Sequence, residues 1–294
     1  MLWAVFTLIA AAAQTARNAM QRELTATLGT VGATHVRFLF GFPFALLFLA
    51  GVLAVRGAQM PSPPDTFWPW VLAGAFTQIA ATATMLSVMG QRSFVVAYAY
   101  IKTEPVHVAL FGLIFLGDKV TPLSAAAILI ATVGVIVISL KSGTNETRNM
   151  RSTVIGIFSG ALFGLSAIGY RGAILSLNLP DFVMAATFTV TVGLVIQAAA
   201  LSLYLALRDA KVLRAIARAW KPSLFAGFMG AFASEFWFLA FAITTAANVR
   251  TLALVEVLFA QGVTRFVFKQ PTTRREGIGI VLVVIGVALL VWAY

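Results

Sequence analysis

Apolar residues run in long blocks along the whole chain, and short polar or proline-containing segments separate the blocks. A helix that crosses ~30 Å of hydrocarbon needs ~20 mostly apolar residues, because each residue rises ~1.5 Å. Pro43 and Pro105 fall inside such blocks and predict kinks. Ten blocks predict transmembrane helices, at 2–21, 31–54, 66–88, 93–115, 122–140, 152–176, 181–206, 222–244, 247–268 and 275–293.

The composition agrees with a membrane protein and excludes several other classes. Of 294 residues, 60% are hydrophobic and 11% are charged, whereas about a quarter of the residues in soluble domains are charged. The absence of cysteine excludes thiol catalysis, a cysteine zinc site and disulfides. Two histidines are too few for a metal cage, and no phosphate-binding glycine-rich loop is found. We predict an all-α polytopic membrane protein without a metal or cofactor.

The second half of the chain repeats the first at a fixed offset of 152 residues. The matching pairs include Arg56 and Arg208, Trp68 and Trp220, Glu104 and Glu256, and Gly134 and Gly286. The repeated glutamate is the most informative, because carboxyl groups inside membranes are rare. We predict two five-helix repeats, 1–146 and 147–294, the second inverted because five is odd. Inverted repeats place a binding site near the bilayer midplane, so a central cavity is expected between them.

The distribution of positive charge indicates the orientation of the chain. The net charge is +11, and thirteen of 21 Lys and Arg residues lie in loops after odd-numbered helices. Only Arg56 and Lys119 lie in loops after even-numbered helices. Because cytoplasmic loops are enriched in Lys and Arg, the odd-numbered loops are predicted to be cytoplasmic, in a bacterial inner membrane. This explanation of the charge argues against a nucleic-acid partner.

Polar side chains inside the predicted helices are the candidate functional residues, because intramembrane ionisable groups usually mark function. Glu104 either binds a substrate amine or proton or anchors helix four beside Pro105, and Glu256 has the same two possible roles. Glu235 has no counterpart in the first half of the chain. A binding site for an asymmetric ligand needs such a carboxyl group that is present in only one half. The candidate substrate-binding residues are Gln78, Tyr98, Tyr100, Phe163, Glu235 and Trp237.

The remaining intramembrane charges receive structural roles. Lys102 is predicted to pair with Glu235, and Arg250 with Glu256. The basic side chains near predicted span ends are expected to extend to lipid headgroups; these are Arg17, Arg171 and Arg265. His35 and Arg37 are expected to be shallow, at a mouth or gate.

The segment from Glu104 to Gly134 contains a recognisable order of motifs. It has Glu104-Pro105, then Leu116-Gly117-Asp118, Thr121-Pro122 and a glycine-rich helix. This order resembles the fourth and fifth helices of EamA-type members of the drug/metabolite transporter superfamily. The second half departs from it, with Val257 in place of the proline and Lys269-Gln270 at the corner. The resemblance implies an exporter of small metabolites, and it is closest to exporters of aromatic amino acids.

These observations predict a secondary transporter, not an enzyme, that exports small organic metabolites by alternating access, with (aromatic) amino acids as the first candidates. Its partners would be a small-molecule substrate and membrane lipid, and the oligomeric state is left open. The alternatives are an exporter of another metabolite or drug within the same superfamily, and a passive facilitator or channel. A remote alternative is an intramembrane enzyme that acts on lipids and uses Glu104 and His107 as an acid/base pair.

Overall fold

The computed structural model describes residues 1–57, 59–91, 101–139, 150–258 and 273–293. A π-helical turn, Gly112–Leu116, extends the helix Glu104–Phe111, and a 3-10 turn, Ala253–Val255, follows the helix Ala246–Leu252. The prediction of an all-helical protein is confirmed for the described residues. In chain order these residues form α1 (Leu2–Leu39), α2 (Phe42–Arg56), α3 (Phe67–Gln91), α4 (Glu104–Phe111), α5 (Pro122–Ser139), α6 (Met150–Ser176), α7 (Phe182–Arg208), α8 (Ala210–Arg218), α9 (Trp220–Ile243), α10 (Ala246–Leu252) and α11 (Arg274–Ala293).

Six helical segments in the described part of the chain are long and apolar enough to cross a membrane. Two shorter apolar segments, Glu104–Leu116 and Pro122–Ile138, accompany them. Six of the predicted spans coincide with single helices to within a few residues, namely α3, α5, α6, α7, α9 and α11. The predicted fourth and ninth spans extend into 93–100 and 259–268, which lie outside the described residues. The count of ten therefore stays a prediction.

The first predicted span and the start of the second belong to one helical element, α1, which reverses direction. Gly29 interrupts α1 with a φ of 69° and a ψ of 175°, a conformation open to glycine. The Gln21 side-chain amide donates to the Ala33 carbonyl at 2.9 Å although twelve residues separate them. A straight helix of that length would span ~18 Å, so the chain folds back at Gly29. The expected end of helix one at residue 21 is wrong, because no glycine or proline precedes Gly29 to end the helix.

The two prolines expected to kink helices instead begin them. α1 ends at Leu39 and α2 starts at Phe42, with Pro43 in its first turn. Pro105 likewise lies in the first turn of α4, after a turn at Lys102 and Thr103. Proline lacks an N–H group, which the first turn of a helix does not need. The chain is therefore interrupted just before each proline rather than bent at it.

The most extensive contacts join α3 with α6, α1 with α9, and α5 with α11. Glycines bring α5 and α11 close together. A Cβ atom on Gly134 would lie 2.7 Å from the Val283 nitrogen, and one on Gly286 would lie 2.6 Å from the Ala131 nitrogen. Small residues allow this close approach between membrane helices, so α5 and α11 are held by backbone proximity.

We expect Gly286→Ala to destabilise the protein by ~1–3 kcal/mol, the usual cost of overpacking. The neighbouring atoms are backbone atoms of α5 and the Cβ of Ala131, none of which can move aside without shifting the helix. Gly277→Ala in the same helix is the matched control, because nothing lies within 4 Å of a Cβ there. Thermal unfolding in detergent should show loss only for the first variant, and equal stability of the two would contradict the packing described.

Candidate substrate site

A small polar cavity lies in the interior of the helix bundle. Its volume is about 20 Å³, and a single water needs ~10–15 Å³. The helices therefore close around it in this conformation, and a metabolite would enter only if they separated. Eight of its twelve lining residues are polar or charged: Gln14, Arg17, Asn18, Arg37, Gln78, Lys102, Glu104 and Arg250.

Two buried ion pairs lie at the cavity, and each joins the first half of the chain to the second. The Arg250 Nε atom lies 3.0 Å from the Glu104 carboxylate, and Lys102 pairs with Glu256. The predicted pairs, Lys102 with Glu235 and Arg250 with Glu256, are therefore wrong. The pairing depends on which helices are neighbours in the bundle, and α4 packs against α10.

One face of α1 supplies much of the polar lining. Gln14, Arg17, Asn18 and Gln21 recur at the three- and four-residue spacing of one helix face. Arg17 is only 1% exposed, and the Asn18 side-chain oxygen accepts from it at 2.7 Å and 3.2 Å. The expectation that Arg17 extends to headgroups is wrong, because helix one continues past residue 21 and buries it. The three- and four-residue spacing of these side chains is the feature of the sequence that predicts a buried polar face on this helix.

Arg37 is also central rather than shallow. It is 2% exposed and donates to the hydroxyls of Thr82 at 3.4 Å and Ser234 at 3.5 Å. Because the helix restarts immediately after Gly29, Arg37 lies two turns further along it. His35, predicted to be equally shallow, is also buried and bonds through Nε2 to the Ser202 hydroxyl at 3.0 Å.

The structure brings three of the predicted substrate-binding residues, Gln78, Phe163 and Trp237, together at this cavity. The Trp237 indole donates to the Gln14 side-chain oxygen at 3.2 Å, and the Arg250 guanidinium lies 4.4 Å from the Trp237 ring centroid. Their role in binding stays a prediction. Tyr98, Tyr100 and Arg265 lie outside the described residues.

Glu235 lies apart from the central cavity. It accepts a hydrogen bond from the Thr187 hydroxyl and lines an open apolar groove of about 430 Å³ between α2, α7 and α9. Positions two apart point to different faces of a helix, so Glu235 and Trp237 do not meet. The carboxyl oxygen Oε2 of Glu235 has no partner within the described ranges.

A second polar cluster, which we name the Arg171 latch, joins three segments. The Arg171 guanidinium contacts the Asp118 carboxylate at 3.2 Å and donates to the carbonyls of Phe241 at 2.8 Å and Thr244 at 2.6 Å. It ties α6 to the corner before α5 and to the end of α9. The expectation that Arg171 extends to lipid headgroups is therefore wrong.

Comparison with known proteins agrees with this architecture. Residues 1–140 match the EamA-like transporter family. The match includes the segment from Glu104 to Gly134, whose motifs resemble this family. Together with the six apolar helices long enough to cross a membrane, it identifies an integral multi-pass membrane protein.

A solved crystal structure of another protein has a similar fold. It shares 14% sequence identity with this chain, with a TM-score of 0.69, and the alignment covers 99% of this chain and 95% of the other. At that identity the similarity concerns the fold alone. No curated protein sequence matches the chain significantly.

Proposed function

We propose that this protein is a secondary transporter of the drug/metabolite transporter superfamily that moves small organic metabolites by alternating access. The observation that carries the proposal is the closed polar cavity bridged by two ion pairs between the halves of the chain. A cavity sealed by contacts between two halves opens when the halves move relative to each other. The EamA-like transporter family is a group of transporters rather than enzymes, which supports transport over lipid chemistry.

The helix contacts support two inverted five-helix repeats, residues 1–146 and 147–294. At the 152-residue offset, contact between helices three and six corresponds to contact between helices eight and one. The matching contacts are those of α3 with α6 and of α9 with α1. The ion pairs are reciprocal as well, because Glu104 and Glu256 each bind a cation from the other half.

The reciprocal ion pairs also support a structural role for Glu104 and Glu256, as the groups that hold the halves together. In the proposed orientation, loops after odd-numbered helices face the cytoplasm of a bacterial cell, and transport is outward across the inner membrane. Aromatic amino acids are the first substrates to test, because the resemblance of the sequence implies them.

Counterflow in proteoliposomes tests the proposal. Purified protein would be reconstituted with a high internal concentration of an unlabelled metabolite, and uptake of the labelled compound measured over time. A carrier accumulates label transiently above equilibrium, whereas an open channel does not. A broad panel of amino acids, organic acids and amines that gives no counterflow above protein-free liposomes would contradict secondary transport.

A further inference from the structure

The central cavity carries more buried positive charge than negative charge. Four cationic side chains line it: Arg17, Arg37, Lys102 and Arg250. In the described part of the chain, the carboxylates that pair with these cations are Glu104 and Glu256. Burying charge is costly unless a counter-charge accompanies it. Among the described residues, no carboxylate supplies this counter-charge to Arg37.

The surroundings of Arg37 show that this counter-charge is not supplied by the described residues. It is almost fully buried, and its hydrogen-bond partners are the neutral hydroxyls of Thr82 and Ser234, at long distances of 3.4 Å and 3.5 Å. The Nε atom of Arg37 has no hydrogen-bond partner in the described ranges. Arginine offers five N–H donors in a planar arrangement that fits a carboxylate or phosphate. A ligand anion would supply the charged partner that the described residues do not.

The three neutral amides of the cavity are oriented as donors. The side-chain oxygen of Gln14 accepts from the Trp237 indole, and that of Asn18 accepts from Arg17. The oxygen of Gln78 accepts from Gln197 at 2.8 Å. Indole and guanidinium groups only donate, which fixes the first two orientations.

The orientation of Gln78 follows from its neighbour. The Gln197 amide nitrogen also donates to the Ala75 carbonyl at 3.1 Å, so that nitrogen must be the donor to Gln78. Because each of the three amide oxygens already accepts a hydrogen bond, the NH₂ groups are the parts of these side chains that could donate to a ligand. Such donors favour a ligand that accepts hydrogen bonds, as an oxyanion does.

We infer that the transported substrate is an organic anion whose carboxylate or phosphate binds Arg37, with an apolar body against Trp237 and Phe163. This inference rests on the proposed transport function and narrows its substrate class. An amino-acid zwitterion fits less well, because its ammonium group needs an acceptor. The two nearby carboxylates, Glu104 and Glu256, already bind Arg250 and Lys102.

Four probes that differ in charge test the inference: phenyllactate, phenylalanine, phenethylamine and phenyl phosphate. Binding to purified protein and counterflow in proteoliposomes would be measured for each. We expect one of the two anions to bind ~10- to 100-fold more tightly than phenylalanine, because the buried ammonium group of phenylalanine would lack an acceptor, and phenethylamine to bind least. The order of the two anions distinguishes a carboxylate from a phosphate site.

Arg37→Gln should lower anion binding by a similar ~10- to 100-fold, while Arg37→Lys retains part of it. Arg56→Gln removes an exposed arginine, 53% exposed on its side chain, and should leave anion binding unchanged. Preference for phenylalanine or phenethylamine by the unaltered protein would overturn the inference while leaving transport intact. Full anion binding by a folded Arg37→Gln variant would also overturn it. The absence of counterflow with every compound of the broad panel would instead overturn the proposed function.

Discussion

Glu256→Gln is expected to reduce the free energy of unfolding by ~3–5 kcal/mol, the cost of leaving one member of a buried ion pair without its partner. Glu256 is 1% exposed and Lys102 4% exposed, so water cannot solvate the ammonium group in place of the carboxylate. Because the pair joins the two halves of the chain, its loss weakens their association. Thermal or denaturant unfolding in detergent micelles measures the effect.

The double variant Lys102→Met/Glu256→Gln should recover most of the lost stability. Replacing both partners of a buried ion pair with neutral groups is often nearly neutral. Arg56→Gln provides the control, since the Arg56–Asp181 pair is exposed and such pairs contribute only ~0–1 kcal/mol. A single variant as stable as the parent, or a double variant as unstable as the single one, would show that this ion pair does not hold the halves together.

Arg171→Gln should open one end of the bundle and expose the central cavity to water. Arg171 binds the Asp118 carboxylate and two backbone carbonyls, and a glutamine cannot replace all three contacts. Losing one charged hydrogen bond shifts an open–closed equilibrium by ~10- to 100-fold. We therefore expect the rate at which a membrane-impermeant thiol reagent modifies a cavity cysteine to rise by a similar factor.

The chain contains no cysteine, so Gln14→Cys introduces a single reporter at the cavity. Its labelling would be compared in the Arg171→Gln and Arg56→Gln backgrounds. Arg56 ends α2 and Asp181 immediately precedes α7. Both are therefore on the same predicted face as Asp118, and they serve as a matched surface ion pair. Labelling that is equally fast in both backgrounds would contradict the closing role of the latch.

Helix boundaries were predictable where a break in hydrophobicity coincided with a break in the backbone. The spans now seen as α6, α7, α9 and α11 were placed within a few residues because loops or prolines separate them. The prediction is less accurate for the first two spans, because polar residues from Gln14 to Glu23 interrupt the apolar pattern inside a continuous helix. They belong to a helix whose polar face is buried against other helices rather than exposed to lipid.

The sequence predicts which types of side chain line the site better than it predicts which side chains pair with each other. Gln78, Phe163 and Trp237 are candidates because hydrogen-bonding and aromatic groups inside the spans suit an amphiphilic ligand, and the structure has all three at one cavity. The partners of Lys102 and Arg250 depend on which helices become neighbours in the bundle. That information lies in tertiary packing, and no periodicity within a single helix specifies it.

The reversal at Gly29 has a consequence for the response of the protein to membrane potential. Arg17 and Arg37 lie on opposite arms of the α1 hairpin, and a single glycine joins the arms. Because the connection is so short, the two arms move together. Any rocking of the hairpin across the membrane therefore moves the Arg17 and Arg37 side chains together. One elementary charge moved through 100 mV changes the energy by ~2.3 kcal/mol. An interior-negative potential would thus bias the hairpin toward the cytoplasmic side unless a bound anion compensates its charge.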